Sequence, residues 1–519
     1  MDRPQAEIPT PGIPRGSGEV VCIPPLPCWQ AVAEENAANL NRSSALLDGE
    51  PLGAFRRAVR EEVLMAAAHF GRRWGLRPGG ELGPLVVTGH QPVFYHPGIW
   101  VKNLVLDLCP GVRTLNLIVD SDAVEVLDVA VPRRNGELRT VHRVLVRCPS
   151  DVPFEATPPP TQGQWRKWIE AIGEDLATLD RPELLRGLER LSALGERERE
   201  ACENLGEFVA RLRRAFEPAP AYPELPVSWL CRTRGFLRFV RWMADSCESF
   251  WAAYNEALEA HRRAEGIRSS AQPFPNLRRQ SGCYELPLWT VRAGRRRPVF
   301  ARRTRGGVVL STEEELVRIS PHTPPEALAE EAFRPRGMAL TLFVRVCVAD
   351  LFVHGVGGAL YDRATDQLIR NLFALDPPSF AVVTATFHLP LPSPEDPGSQ
   401  RARLQQRLYE LLHNPDRFLE PQDPHLQCLV EEKWGIIRRL QEGSLTRRER
   451  RALTHRIRAI NQELSAPLAE EIQRVREALA RLEPQETAYA AATYRGYPFF
   501  LFDGEALRRV LQDRLISPS

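Results

Sequence analysis

A strand, a helix and a second strand follow one another between residues 84 and 122, and this order constrains the fold more than any other feature of the chain. PLVVTG is a short apolar run ending in glycine, IWVKNLVLDL has helical spacing of its apolar residues, and TLNLIVDSD is a second apolar run. Two strands joined through a helix pair in parallel. The sequence therefore predicts an α/β protein with a parallel sheet.

Four regions follow one another along the 519 residues, a length sufficient for two to four domains. Residues 1–30 are rich in proline and are predicted to be extended. Residues 31–397 carry the α/β pattern and are predicted to form the core. Residues 398–485 are charged amphipathic segments separated by proline or glycine, which predicts a long antiparallel helical arm. Residues 486–519 are aromatic, and we expect them to pack back on the core.

Within the core region, the pattern alternates between strands and helices. Residues 126–148 are predicted to form a hairpin that turns at Asn135-Gly136. A helical insertion is predicted at about 160–265, followed by strands and loops at about 270–310. Residues 338–354 have helical spacing, and the following FAVVTATFHLPLP is rich in valine and threonine, which favours a strand.

Charge and composition exclude several classes of protein. The formal net charge is +2 and 43% of the residues are hydrophobic, which argues against disorder and against a dedicated nucleic-acid-binding protein. No run of about 18 apolar residues could cross a bilayer, and no apolar stretch follows a basic amino terminus. We therefore expect a cytoplasmic protein without a membrane partner. Of the 68 basic residues only Lys102, Lys167 and Lys433 are lysine, which singles out positions where a compact ammonium is favoured over a guanidinium.

The first candidate site follows the first predicted strand. Open α/β sheets bind ligands at the carboxyl ends of their strands, where helix amides face an anion. Basic and amide side chains there could neutralise a phosphate or stabilise charge on a transferred group. The alternative is a proline-containing turn with one hydrogen-bonded histidine. The candidate residues are Thr88, Gly89, His90, Gln91, His96 and Lys102.

The second candidate site is the acidic segment after the next strand. Asp120, Asp122 and Glu125 would repel one another unless a cation, an amine or a proton lay among them. They could bind Mg²⁺, hold the amino group of a substrate or act as a general base. The alternative is an aspartate that caps a helix, with solvated neighbours.

The third candidate site is the glycine-rich segment from His354 to Gly358, followed by Tyr361. A glycine-rich bend that enters a helix could admit a ligand close to the backbone. A tight packing turn would show the same pattern. The candidate ligand-binding residues are Gly355, Gly357 and Tyr361.

A family resemblance follows from these segments. VVTGHQPVFYHPGIWVKN resembles the TGQQ strand-to-helix motif of the bacillithiol biosynthesis cysteine-adding enzyme family. Thr88, Gly89 and Gln91 stand where the family has threonine, glycine and its second glutamine, and His90 replaces the first glutamine. The resemblance implies a Rossmann-like core, a helical insertion and an antiparallel coiled-coil arm that forms a homodimer.

Two further segments carry the same resemblance. The acidic EDHD segment of the family is similar to residues 119–122, where Val119 and Ser121 depart from it. The GGPGE segment is similar to residues 354–358, where Val356 replaces the proline and Gly358 the glutamate. Because this chain lacks that glutamate, the resemblance implies the nucleotide-binding, amide-forming fold of the family more firmly than its particular substrate. HQP followed by an aromatic residue and a lysine is also similar to the start of WbqC-like proteins, which modify amino sugars or glycans.

These observations together predict a ligase-like enzyme that binds a nucleotide or phosphate and forms an amide-type bond with a small-molecule substrate. ATP or ADP is the expected cofactor, Mg²⁺ is a further candidate, and no nucleic-acid partner is expected. In this hypothesis His90, Lys102, Asp120 and Asp122 are catalytic. It requires the turns at His90 and Asp120 to open into one cavity. The alternatives are a non-catalytic scaffold that dimerises through the arm and a WbqC-like enzyme.

Overall fold

The computed structural model describes residues 12–76, 83–419, 423–442 and 445–516. The chain forms two compact units. The first comprises the residues up to Val131, Val141–Leu389 and those from Arg495 onwards, and it contains all the candidate sites. The second comprises Pro132–Thr140 and Pro390–Tyr494. No helix of the described residues has the length and apolar character that a bilayer crossing requires.

The helices and strands of the described residues alternate along most of the chain. The strands are β1 (Glu19–Ile23), β2 (Leu46–Leu47), β3 (Glu50–Pro51), β4 (Leu85–His90), β5 (Arg113–Ile118), β6 (Val126–Asn135), β7 (Glu137–Arg147), β8 (Glu224–Pro226), β9 (Arg279–Gln280), β10 (Cys283–Arg292), β11 (Arg295–Thr304), β12 (Gly307–Ser311), β13 (Glu315–Ile319), β14 (Phe333–Pro335), β15 (Leu351–His354) and β16 (Phe380–Thr386). The helices are α1 (Trp29–Arg42), α2 (Leu52–Arg73), α3 (Pro97–Leu104), α4 (Gln162–Ala177), α5 (Pro182–Ala201), α6 (Leu205–Ala215), α7 (Val227–Leu230), α8 (Arg234–Asp245), α9 (Cys247–Ala264), α10 (Gly337–Phe343), α11 (Val356–Phe373), α12 (Gly398–His413), α13 (Pro424–Gln441), α14 (Arg447–Ser465), α15 (Ala469–Ala492) and α16 (Gly504–Leu515).

The main sheet has six strands in the order β1-β16-β15-β4-β5-β8. All neighbouring pairs are parallel except β1 with β16, so the predicted parallel sheet is confirmed within a mixed sheet. Counted along the chain, the five parallel strands lie in the order third, second, first, fourth, fifth, starting from β8. From β4 the chain adds β5 and β8 on one side of the sheet, and it then returns to add β15 and β16 on the other side. The strand succession therefore changes direction between β4 and β15, which are neighbours in the sheet.

Burial on both faces explains why β4 forms at the centre of this sheet. Leu85, Val86 and Val87 are fully buried, as expected of a parallel strand covered by helices on both sides. The carboxylate of Asp350, just before β15, accepts a hydrogen bond from the Leu85 amide at 2.7 Å. The same carboxylate pairs with Arg56 of α2 at 2.8 Å. One buried aspartate thus joins α2, β4 and the start of β15.

A second, antiparallel sheet has the order β13-β12-β11-β10-β14, with β9 beside β10. Ala293 and Gly294 have φ angles of 48° and 73° and form the tight turn between β10 and β11. The predicted hairpin over residues 126–148 is also confirmed as β6 and β7, with Gly136 at φ 75° in its turn. The second of these turns is the one predicted from Asn135-Gly136 between two strand-like runs.

Two strands of the main sheet lie where the sequence predicts helix. The helix predicted over 338–354 ends earlier: α10 continues into a π-helical turn at Val344–Val348, and Leu351–His354 form β15. The predicted helical insertion at about 160–265 includes β8. Both strands have only three or four residues, and an apolar run that short has no periodicity that separates strand from helix.

The described residues of the second unit between 398 and 492 are mainly helical. α12 packs on α15 around buried Leu411, Ile472 and Val475. α13 packs on α14 around a cluster of four buried residues, Leu429, Ile436, Ile460 and Leu464. Lys433 of α13 is 2% exposed, and its Nζ pairs with Asp416 at 2.5 Å. The apolar side chains that recur at helical spacing in this region are therefore buried where neighbouring helices pack on each other.

Candidate functional site

A cavity of about 290 Å³ lies at the carboxyl ends of β4 and β15, where the strand succession changes direction. From the strand ends it is lined by Gly89, His90, Gln91 and His354. α11 contributes Gly358, Tyr361 and Asp362, and most of the remaining lining is apolar, including Leu117, Phe274 and Met338. The site therefore combines an apolar chamber with a few polar groups at its strand-end side, as small-molecule sites commonly do.

Gly89 allows β4 to pack closely against β5 at the wall of the cavity. A Cβ atom at this position would lie 3.1 Å from Cβ of Leu117 and 3.2 Å from its carbonyl oxygen. Both contacts are tighter than ordinary van der Waals separation, so a larger side chain would displace β5 or fill the cavity. The glycine singled out in the sequence thus has a steric role here.

His90 presents an unprotonated nitrogen at the cavity. Its Nδ1 lies 3.0 Å from the carbonyl oxygen of Gln91, and because a carbonyl only accepts, Nδ1 carries the proton. Burial, with the nearby charge of Lys102, lowers the pKa of His90 to about 3. The ring is therefore neutral, and Nε2 has no hydrogen-bond partner among the residues that the structure describes. That nitrogen is available to accept a proton or a hydrogen bond from a ligand.

Lys102 lies beneath the strand end and does not line the cavity. It is 4% exposed, and its Nζ donates to the Gly89 carbonyl at 2.9 Å. Burial, together with the charge of Arg213, lowers its pKa to about 7. Its contact fixes the backbone that carries Gly89 and His90. Thr88 is buried as well, and its hydroxyl donates to the Val353 carbonyl at 2.8 Å, which joins β4 to β15.

His96 belongs to a group of basic side chains at the start of α3, with His388 and Arg495, which we term the basic cluster. An added Cβ at Gly98 would lie 2.1 Å from Nη2 of Arg495 and 2.9 Å from Cε1 of His96, so the two side chains meet at Gly98. His96 caps α3 by accepting from the Gly98 amide at 3.1 Å. Burial, with the charge of Arg495, lowers the pKa of His96 to about 4 and also lowers that of His388.

Arg495 has no carboxylate partner among the described residues. Its Nη2 donates to the Ala385 carbonyl at 3.0 Å and to the Thr384 hydroxyl at 3.3 Å, and its buried Nε has no partner there. Burial lowers its pKa. A guanidinium held by neutral groups keeps its full attraction for an anion. The basic cluster is therefore suited to a phosphate or carboxylate.

The acidic segment lies beside the first site, but its carboxylates do not line the cavity. Asp120 is buried and accepts from the amide of Ser228 at 2.9 Å and from its hydroxyl at 2.5 Å, in the first turn of α7. Burial, with the charge of Glu155, raises the pKa of Asp120 to about 7. The Asp120 carboxylate is therefore held by Ser228 and does not line the cavity, and Asp120 is not the N-cap residue of α7 either, which is Pro226.

Asp122 connects the two turns directly. Its carboxylate accepts from Nε2 of Gln91 and, at 2.9 Å, from Nη1 of Arg296. Glu125 is exposed. The described residues contain no group of three or more histidines, cysteines, aspartates or glutamates that could hold a metal ion. The carboxylates expected to bind Mg²⁺ are therefore engaged by other side chains or dispersed, and they do not form a cation site of their own.

The glycine-rich segment forms the other wall of the cavity. Gly355 caps the start of α11, and an added Cβ at Gly355 or Gly357 would meet nothing within 4 Å. Tyr361 is 46% exposed, and its ring lies 6.2 Å from that of Phe274, so both border the chamber. Gly358 and Tyr361 of this segment therefore line the cavity, whereas the predicted Gly355 and Gly357 do not.

A hydrogen-bonded pair, His354 and Asp362, lies in the same wall. Nε2 of His354 is 2.8 Å from Oδ2 of Asp362, which Arg345 also contacts at 2.7 Å. Burial alone would raise the pKa of Asp362, but Arg345 and His354 outweigh it and lower the pKa to about 2. Asp362 is therefore ionised and accepts from Nε2 of His354, which leaves Nδ1 as the other ring nitrogen of the histidine. This is the arrangement of a general base oriented by a carboxylate.

Several residues of the site carry no signal in the sequence. Arg345, His388 and Arg495 lie far along the chain from the strand-end motif and belong to no recognisable spacing. In a chain where arginine is nearly the only cation, the type of residue gave no indication either. His354 and Asp362 stand in the glycine-rich segment, and their spacing of eight residues agrees with a strand end facing the second turn of the following helix.

Comparison with protein-family models and with curated proteins finds no match to this chain.

Proposed function

We propose that the chain is a ligase-like enzyme that binds a nucleotide or a related phosphate ligand and forms an amide-type bond. The observation that carries the proposal is the cavity at the point where the strand succession changes direction. The order of the five parallel strands agrees with a Rossmann-like core, in which ligands bind at that point. The reaction proposed is similar to the cysteine-adding step of bacillithiol biosynthesis.

Two features support a ligand with a flat apolar part and an anionic part. The chamber beside Phe274, Met338 and Tyr361 is mostly apolar, which suits a nucleobase or another planar group. The basic cluster lies at the start of α3, where the positive end of the helix dipole and the Arg495 guanidinium favour a phosphate. Lys102 then acts as a positioning residue, because it holds the carbonyl of Gly89, which lines the chamber.

The chemistry proposed is attack of an amine on a carboxyl group activated by phosphoryl or adenylyl transfer. A nitrogen–carbon bond forms, the bond from carbon to the phosphate oxygen breaks, and the phosphate leaves with that electron pair. The amine proton passes to a base, for which Nδ1 of His354 and Nε2 of His90 are the candidates at the cavity. No step is assigned to Mg²⁺, because Asp122 is engaged by Arg296 and Gln91.

Two observations favour the enzyme over a non-catalytic scaffold. The space beside His90 is open, whereas a scaffold has no need of a chamber there. Lys102 is buried on the strand-end backbone, where an unpaired ammonium is costly to retain without a use. The proposal includes a coiled-coil description of residues 398–485 and a homodimer formed through this arm, as the family resemblance implies.

Titration calorimetry with ATP, ADP and AMP tests the proposal. We expect at least one of the three nucleotides to bind, and Arg495→Gln to weaken that binding about tenfold, because a charge-assisted contact to phosphate is lost. His322→Ala, which removes an exposed histidine elsewhere in the same unit, is the control and should leave the affinity unchanged. Absence of nucleotide binding, or equal affinities for the wild type and Arg495→Gln, would contradict the proposal.

A further inference from the structure

The adjoining ends of α13 and α14 carry the densest group of basic side chains on the arm. We term this group the basic tip, and all its members are exposed. Glu442 and Glu449 are the acidic residues in the same stretch, and Glu449 is engaged with the Thr446 hydroxyl at 2.7 Å in a helix cap. The basic tip consists of Arg438, Arg439, Arg447, Arg448, Arg450, Arg451, His455 and Arg458.

The helical geometry of α14 separates its basic side from its apolar side. At about 100° per residue, Arg447, Arg451 and Arg458 lie within about 40° of one another around the helix axis. The residues that pack on α13, including Ile460 and Leu464, lie on the opposite side. The three arginines span about 16 Å along the helix and lie on its solvent face, where they form a basic stripe.

The arginines of the basic tip differ from the other arginines of the arm. Within the described part of the chain, none of the seven lies within ion-pair distance of a carboxylate, whereas Arg401 pairs with Glu486, Arg407 with Glu471 and Arg456 with Glu432. Like charges three and four residues apart destabilise a helix. A stripe of mutually repelling arginines is therefore retained at a small cost in stability, which an anionic partner would relieve.

We propose that the basic tip is a docking surface for the phosphate backbone of a nucleic acid. Guanidinium groups bind phosphate oxygens in a bidentate manner, and a nucleic-acid strand offers a phosphate about every 3.4 Å of duplex axis, so a stripe of this length spans several. The overall charge of +2, which argues against such a partner, conceals this local concentration.

An anionic membrane is the less favoured partner. A helix that lies on a bilayer inserts an apolar face, whereas the apolar faces of α13 and α14 are buried against each other. Between Arg438 and Arg458, no large apolar side chain of the described residues is exposed. The basic tip thus exposes positive charge but no apolar side chains that could insert into a bilayer. This favours a hydrated phosphate backbone as the partner.

Fluorescence anisotropy with a labelled single-stranded RNA of mixed sequence, and with DNA of the same sequence, tests the proposal on the full chain. We expect binding that weakens with salt. The triple variant Arg447→Gln/Arg451→Gln/Arg458→Gln should bind at least tenfold more weakly. Its slope of log affinity against log salt should be smaller by about 2, because about 0.7 is lost for each phosphate contact.

The matched control is Arg401→Gln/Arg407→Gln/Arg481→Gln, which removes the same charge from the same arm and should change the affinity less than twofold. Circular dichroism establishes that both triple variants keep the wild-type helical content. The proposal is overturned by failure of RNA and DNA to bind at 50 mM salt, by equal losses in the two triple variants, or by stronger binding to phosphatidylserine vesicles than to either nucleic acid. These outcomes are independent of the nucleotide-binding proposal, which concerns the other unit.

Discussion

Lys102 shows how a single side chain can make stability depend on pH. It is buried, and its Nζ contacts only neutral oxygen, so burial lowers its pKa from 10.5 to about 7. Between these two values the unfolded chain binds more protons at this lysine than the folded chain does. The free energy of unfolding therefore rises with pH in that range, and the lysine destabilises the fold below it.

A comparison of Lys102→Met with the wild type tests this. Chemical denaturation from pH 7 to pH 9 should show the wild type gaining about 1 kcal/mol per pH unit relative to the variant, which lacks the titrating group. Lys167→Met, which removes an exposed lysine of α4, should follow the wild-type slope. Parallel pH profiles for Lys102→Met and the wild type would show that Lys102 stays charged in the fold.

At the residue level, the sequence predicted part of the candidate site. Gly89, His90, Gln91 and Tyr361 line the cavity, and they were found because they stand next to strand and helix signals. Asp120 was expected beside His90, but it bonds to Ser228, which lies 108 residues further along the chain. The sequence around an aspartate does not indicate which residue, distant along the chain, its carboxylate will contact in the fold.

At the level of secondary-structure elements, Asp350 links three parts of the main sheet and its covering helix. Its carboxylate pairs with Arg56 and Arg60 of α2 and accepts from the β4 amide of Leu85. Arg56 is fully buried, and burial lowers its pKa to about 10 despite the nearby aspartate. Removing the aspartate charge leaves that guanidinium without its counter-ion.

We therefore expect Asp350→Asn to lower the free energy of unfolding by about 3–5 kcal/mol, the range for breaking a buried ion pair from one side. Urea denaturation at neutral pH measures it. Asp151→Asn provides the comparison, because Asp151 pairs with Arg295 at the surface and should leave stability close to that of the wild type. Similar free energies of unfolding for the two variants would show that the ion pairs of Asp350 with α2 contribute little to stability.

The elements themselves were predictable in proportion to their length. β4, β5, β16 and the β6–β7 hairpin were indicated by apolar runs and by turn glycines. β8 and β15 were not, and without them the order of strands in the sheet could not be derived. The position of the cavity depends on that order, so the sequence located one wall of the site and the structure supplied the opposite one.

At the scale of the whole molecule, the two units differ in how they are built. The first is a mixed α/β unit with a central parallel sheet, and the second is mainly helical. Tyr409 and Trp434 are large aromatic side chains of the second unit, and they are 54% and 46% exposed. Such side chains are frequent at the centres of protein interfaces.

Sedimentation equilibrium tests the proposed homodimer. We expect twice the chain mass of 58.6 kDa, and a shift towards the single-chain mass in Tyr409→Ser/Trp434→Ser, which removes apolar area from the arm. Met65→Ser removes an exposed apolar side chain from α2 of the first unit and should leave the mass unchanged. A single-chain mass for the wild type at micromolar concentrations would contradict the homodimer.

The scarcity of lysine has a practical consequence. Two of the three ε-amino groups are enclosed, one against the Gly89 carbonyl and one against Asp416, and Lys167 alone is open to solvent. An amine-reactive dye applied to the native protein therefore has a single side-chain target, on α4. A fluorophore attached there would report from one defined place without any engineered cysteine.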